Sequence, residues 1–86
     1  MKLPIIKHVT HFIEENDEDF VLETIETLES LTEVSTLNDS ELDVIGELLS
    51  NFYGAIEVSK MIKSGTTKKE ALNSFMKRVL GSIDSK

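Results

Sequence analysis

The sequence predicts an all-α protein, a small antiparallel bundle of four helices with a long third helix at its centre. Three observations support this fold class. Apolar residues recur at helical spacing along most of the chain, alternating strand patterns are absent, and the one proline, Pro4, lies where a first helical turn tolerates it. The length of 86 residues predicts a single helical-bundle domain over residues 1–86.

The first two predicted helices are joined by a short acidic segment. The first helix is expected from about Pro4 to Glu15 and the second from about Asp17 to Val34. Either Asn16 or Asp17 can cap the second helix. Because the segment is too short for a real loop, a single kinked helix is the alternative. The expected buried stripes are Ile5, Ile6, Val9, Phe12 and Ile13 in the first helix, and Phe20, Val21, Ile25, Leu28 and Leu31 in the second.

The third predicted helix, from Asn38 to Gly65, is the most informative segment because it is apolar on two sides. The first seam contains Leu42, Ile45, Leu49, Phe52 and Ile56, and the second seam contains Val44, Leu48, Ala55, Val58 and Ile62. A helix with only one narrow polar stripe needs several neighbours to cover it, so this helix is predicted to be the central post. Asn38 and Glu41 match a capping box at its start, and Gly65 matches a C-cap residue.

The fourth helix is predicted to follow Thr67 and Glu70, which form a second capping-box pattern. Gly81 is expected to end it. Its expected buried stripe consists of Leu72, Phe75, Met76, Val79 and Leu80.

Small residues at a spacing of four in the third helix indicate close helix packing. Gly46, Ser50 and Gly54 fall on or beside the polar stripe, and Met61 lies on the same side. Small residues let two helix backbones approach closely. The pattern predicts a homodimer interface that contains these four residues. The alternative is a helix crossing inside one bundle.

His8, His11 and Glu15 are the residues that best match a metal-ligand set, because spacings of three and four place them on one helix edge. A metal-binding protein is therefore the alternative function. The competing interpretation is a His11–Glu15 pair with His8 at the boundary of the apolar face.

Charge is divided unevenly along the chain, which has a net charge of −7. Residues 1–59 carry −12 and residues 60–86 carry +5. Lys68, Lys69, Lys77 and Arg78 form a predicted basic patch, either paired with acids of the same molecule or facing an acidic surface of a second subunit or partner protein. The acidic balance argues against nucleic acid as a partner.

Several function classes are excluded or disfavoured by what the sequence lacks. The absence of cysteine excludes disulfides and thiol chemistry in this chain. No signal peptide and no membrane span is expected. No phosphate loop, dinucleotide motif or nucleophile elbow occurs, so the sequence predicts a non-enzymatic protein without a cofactor.

Four segments carry a resemblance to a known family: Met1-Lys2-Leu3-Pro4, residues 19–26, residues 42–51, and residues 69–73 onward. In these segments the chain resembles a small uncharacterised all-helical family of Bacteroidota bacteria. The resemblance implies a cytoplasmic bacterial protein with no assigned activity. It also implies an accessory role in thiol-peroxide metabolism.

Overall fold

The computed structural model describes the backbone of residues 2–84 and the side chains of residues 2–79. It contains four helices, which are α1 (Leu3–Glu15), α2 (Glu18–Leu31), α3 (Asp39–Lys63) and α4 (Lys68–Asp84). No strand occurs within residues 2–84. The all-α fold class with a long third helix is confirmed, whereas the antiparallel order stays a prediction.

The predicted capping residues are found at the helix termini. Asp17 accepts a hydrogen bond from the Asp19 backbone N–H at 3.0 Å, so α1 and α2 are two helices with Asn16 and Asp17 between them. Both bonds of the capping box between Asn38 and Glu41 are present at the start of α3. Gly65 has φ +111, which is the left-handed conformation that glycine adopts without strain.

Two helix ends differ from the prediction. α2 ends at Leu31 and not at Val34, because the Thr32 side chain donates to the Glu29 carbonyl at 2.6 Å and the chain continues as a turn. α4 continues through Gly81 to Asp84. A glycine in a helix costs only about 1 kcal/mol, so it does not stop a helix by itself.

The core lies around the second half of α3, which contacts α1, α2 and α4. All buried residues of α3 lie between Asn51 and Ser59. The buried apolar residues are Ile6, Ile13, Val21, Ile25, Ala55, Ile56, Val58, Ala71, Leu72 and Phe75. The central position predicted for this helix is therefore present, but the buried residues of α3 all lie in its second half.

The first half of α3 and the end of α2 extend beyond the core. The backbone N–H of Lys2 donates to Asn51 Oδ1 at 2.7 Å, which places the start of α1 beside the middle of α3. Residues 39–50 precede this point and span about 18 Å at the rise of an α-helix. The molecule measures 43 × 37 × 18 Å with a radius of gyration of 14.0 Å. A compact chain of this length has a radius of gyration of about 12 Å.

Candidate interaction surface

The second seam of α3 is buried in one half of the helix and exposed in the other. Ala55 and Val58 have no exposed surface, whereas Val44 is 60% exposed and Leu48 is half-buried. The side chains of the second seam are apolar in both halves of α3. The difference in burial therefore comes from the neighbouring helices, because α1 begins beside Asn51 and lies along the turns that follow it.

We name the exposed and half-buried apolar residues at this end of the molecule the open seam. The open seam comprises Leu31 of α2, Leu37 of the α2–α3 loop, and Val44, Ile45 and Leu48 of α3. Leu37, Val44 and Ile45 line one open hollow of about 450 Å³, and Leu31 is 42% exposed. Contiguous apolar residues on a surface are typical of interaction sites.

A second apolar depression, which we name the aromatic hollow, lies between α1, α2 and α3. It has a volume of about 290 Å³ and is lined by His8, Val9, Phe12, Phe20, Val21, Thr24 and Phe52. The rings of Phe12 and Phe20 meet edge to face with centroids 6.0 Å apart. Phe20 is 57% exposed although its position in the α2 stripe predicted burial. Phe52 follows Leu48 by one helical turn, so the aromatic hollow adjoins the open seam along α3.

Asn51 determines where the open seam begins, and the sequence analysis missed it. Its side chain is fully buried, accepts the Lys2 backbone N–H, and donates through Nδ2 to the Glu47 carbonyl at 2.9 Å. A buried amide is stable when its polar atoms are paired in this way. The available signal was its position on the second seam, three residues after Leu48 and four before Ala55, where one polar residue interrupts an apolar series.

The four residues predicted to form a dimer interface are distributed over different environments. Gly54 is buried inside the chain, where an added Cβ would lie 3.1 Å from Phe75 and 3.2 Å from Ile6. The close approach at Gly54 is thus a packing contact within one molecule. Gly46 is exposed with no atom within 4 Å of its Cβ position, Ser50 is half-buried, and Met61 packs against the core.

The predicted metal ligands do not form a ligand group in the part of the chain that the structure describes. His11 lies 3.9 Å from both Glu14 and Glu15, and these separations are those of weak exposed ion pairs. His8 is exposed on the same helix. Among the described residues no three histidine or acidic side chains are placed to hold a metal ion. The geometry therefore gives the metal hypothesis no support.

The basic residues of α4 contact acids of the same molecule. Lys68 Nζ lies 3.0 Å from Glu14, and Arg78 lies 3.3 Å from Glu57 with its guanidinium 5.5 Å from the Phe75 ring centroid. Lys69 and Lys77 are exposed. For Lys68 and Arg78 this arrangement matches the intramolecular alternative for the predicted basic patch.

Tyr53 connects α3 to α2 on a different side of the molecule. Its hydroxyl donates to Glu29 Oε2, and its ring is 48% exposed. The hydrogen bond to the Glu29 carboxylate, with a smaller effect of desolvation, raises the pKa of Tyr53 above 10.0. The segment that contains most of the open seam is acidic, because residues 23–47 contain eight acids and no lysine or arginine.

Comparison with known proteins identifies a family for this chain. A family of unknown function, DUF6952, matches residues 1–84. The chain belongs to this family. No curated protein and no solved structure matched the chain. The expectation of an uncharacterised family is confirmed, whereas its restriction to Bacteroidota stays a prediction. None of the helices described in the structure has the length and apolarity needed to cross a membrane.

Proposed function

We propose that this protein is a non-enzymatic interaction module that acts as a homodimer. The observation that carries the proposal is its exposed area. The chain exposes 5884 Å², whereas a folded monomer of its mass is expected to expose about 5130 Å². The excess of about 750 Å² is close to the ~800 Å² that each partner buries in a standard protein–protein interface.

The shape and the exposed side chains support the same proposal. The radius of gyration is 14.0 Å, whereas a compact chain of this length has about 12 Å, so the molecule is extended. Leu31, Val34 and Val44, each more than 40% exposed, are apolar side chains that a second copy would bury.

Sedimentation equilibrium tests the proposal directly. We expect the average mass to rise from that of the 9.7 kDa chain toward twice that value as protein concentration increases from about 5 μM to about 500 μM, because association follows mass action. A mass that stays at one chain across this range would remove the homodimer.

The proposal extends to a cytoplasmic accessory role in thiol-peroxide metabolism, which the family resemblance supports. With no cysteine in the chain, any redox step belongs to the partner. The test is the peroxidase rate of a thioredoxin–peroxiredoxin pair from the same cell, measured with and without this protein. An accessory role predicts a changed rate or a co-sedimenting complex, and the absence of both would remove it.

A further inference from the structure

We infer that the open seam is the surface through which two copies of this chain associate. This inference rests on the proposed homodimer and adds the location of its interface. It differs from the prediction made from small residues, because Gly54 is already covered by Phe75 and Ile6 of its own chain.

The second seam continues along α3 from a buried half into an exposed half. Ala55 and Val58 are fully buried in the half of α3 that packs against the other helices. The same apolar face continues to Val44, which is 60% exposed and precedes Asn51, where α1 begins beside α3. A helix that remains apolar beyond its own core indicates that cover comes from another chain.

Helix α2 also presents an exposed apolar residue on this side of the molecule. Thr24 lines the aromatic hollow, and Leu31 follows it by seven residues, which returns to the same helix face. Leu31 therefore points to the side on which Val44 is exposed and Leu48 is half-buried. The open seam and the adjoining aromatic hollow form one face to which α1, α2 and α3 contribute.

A second copy is the occupant that the exposed area and the composition favour. The whole chain exposes about 750 Å² more than a compact monomer of its mass, which is enough to supply one partner's share of a standard interface of ~1600 Å². The open seam contains aliphatic side chains and no cation, so it pairs with another apolar face of the same composition. Acids around it remain at the rim, where charges stay hydrated and do not prevent apolar burial.

The chain offers a matched pair of variants on α2. Leu31 is 42% exposed in the open seam, and Leu22 is 38% exposed in another hollow that also contains Tyr53 and Phe75. We expect Leu31→Gln and Val44→Gln each to raise the dimer dissociation constant by about tenfold or more, as truncation of central interface residues does. Leu22→Gln should change it by less than about twofold.

Cysteine substitution gives a second readout because the chain contains no cysteine. Val44→Cys should be crosslinked to its copy by a short bis-maleimide, whereas Leu22→Cys should stay a single chain under the same conditions. Circular dichroism of each variant verifies that it is folded before association is measured.

The outcomes separate this inference from the proposed function. A wild-type dimer that Leu31→Gln and Val44→Gln do not weaken would overturn the open seam as the interface and leave the homodimer intact. Equal weakening by Leu22→Gln would overturn it as well. A monomeric wild-type protein would remove both proposals.

Discussion

At the scale of single residues, the two glycines of α3 have opposite roles. Gly46→Ala should raise the free energy of unfolding by about 0.5–1 kcal/mol, because the site is exposed and alanine favours a helix interior. Gly54→Leu should lower it by about 1–3 kcal/mol or more, because the side chain would overlap Phe75 and Ile6. Urea unfolding measures both values. Destabilisation by Gly46→Ala would indicate a closely packed partner at Gly46, as the small-residue interface requires.

Asn51 is the residue on which the start of α1 depends. Asn51→Ala leaves the Lys2 backbone N–H without its acceptor and should lower the free energy of unfolding by about 1–3 kcal/mol. Amides in the first turn of α1 should then exchange faster with solvent, which NMR detects. The exposed Asn73 provides the control, and Asn73→Ala should stay within about 0.5 kcal/mol of wild type.

Tyr53 gives a pH dependence with a defined sign. Its folded-state pKa is raised, chiefly by the hydrogen bond to Glu29, so the folded protein holds this proton more tightly than the unfolded chain. The stabilisation is therefore complete below pH 10.0 and is lost as pH rises through the folded-state pKa. The urea midpoints of wild type and Tyr53→Phe should differ at about pH 8 and should lie closer together at about pH 11. A constant difference between the two proteins would contradict this assignment.

At the scale of helices, the sequence predicts well where the helices begin, but it predicts poorly which of their apolar residues are buried. The helical spacing and the capping residues place the starts of α2 and α3 within one residue of those observed. The spacing of apolar residues shows which side of a helix is apolar, but it does not show which neighbouring helix covers that side. Phe20, Leu31 and Val44 all lie on predicted buried stripes and are 57%, 42% and 60% exposed. Val44 is exposed because it precedes Asn51, where α1 begins beside α3.

The start of α3 is the element that holds the open seam in place. Asn38→Ala should lower the free energy of unfolding by about 1 kcal/mol, because it removes the acceptor of the Glu41 backbone N–H in the capping box. Fraying of the first turns should also weaken the dimer, since Val44 lies in the second turn. Thr67→Ala, which removes the corresponding acceptor at the start of α4, provides the control. It should cost similar stability and leave the dissociation constant unchanged, and a change of equal size would contradict this location.

At the scale of the whole molecule, shape carries information that no local pattern contains. The sequence indicates association through the doubly apolar third helix, but it places the contact at small residues, one of which the fold buries internally. The extended radius of gyration and the excess area appear only when all four helices are assembled. The sequence shows that residues 23–47 are acidic. The structure adds that most of the open seam lies in this acidic segment, so two copies that associate there bring two acidic regions together.

The sign of the salt dependence distinguishes the two ways in which copies can meet. Association through the open seam brings two acidic regions together, so salt should strengthen the dimer several-fold as the screening length falls from about 10 Å at 0.1 M to about 3 Å at 1 M. Association through the basic patch of α4 predicts weakening by salt instead. Lys77→Glu/Arg78→Glu should therefore leave the dissociation constant unchanged. If that double reversal weakens the dimer, the basic patch is part of the interface.

A variant with fewer acids separates this electrostatic effect from a general effect of salt on apolar surfaces. Glu33→Gln/Asp43→Asn removes two of the eight acids in residues 23–47. Less repulsion should tighten the dimer at low salt and flatten its response to salt, since exposed charges interact only within the screening length. Salt that acted only by strengthening apolar burial would affect this variant and the wild type equally. Sedimentation equilibrium of both proteins at low and high salt decides between these mechanisms. Only repulsion between two copies of the acidic region predicts that the two dissociation constants differ at low salt and become equal at high salt.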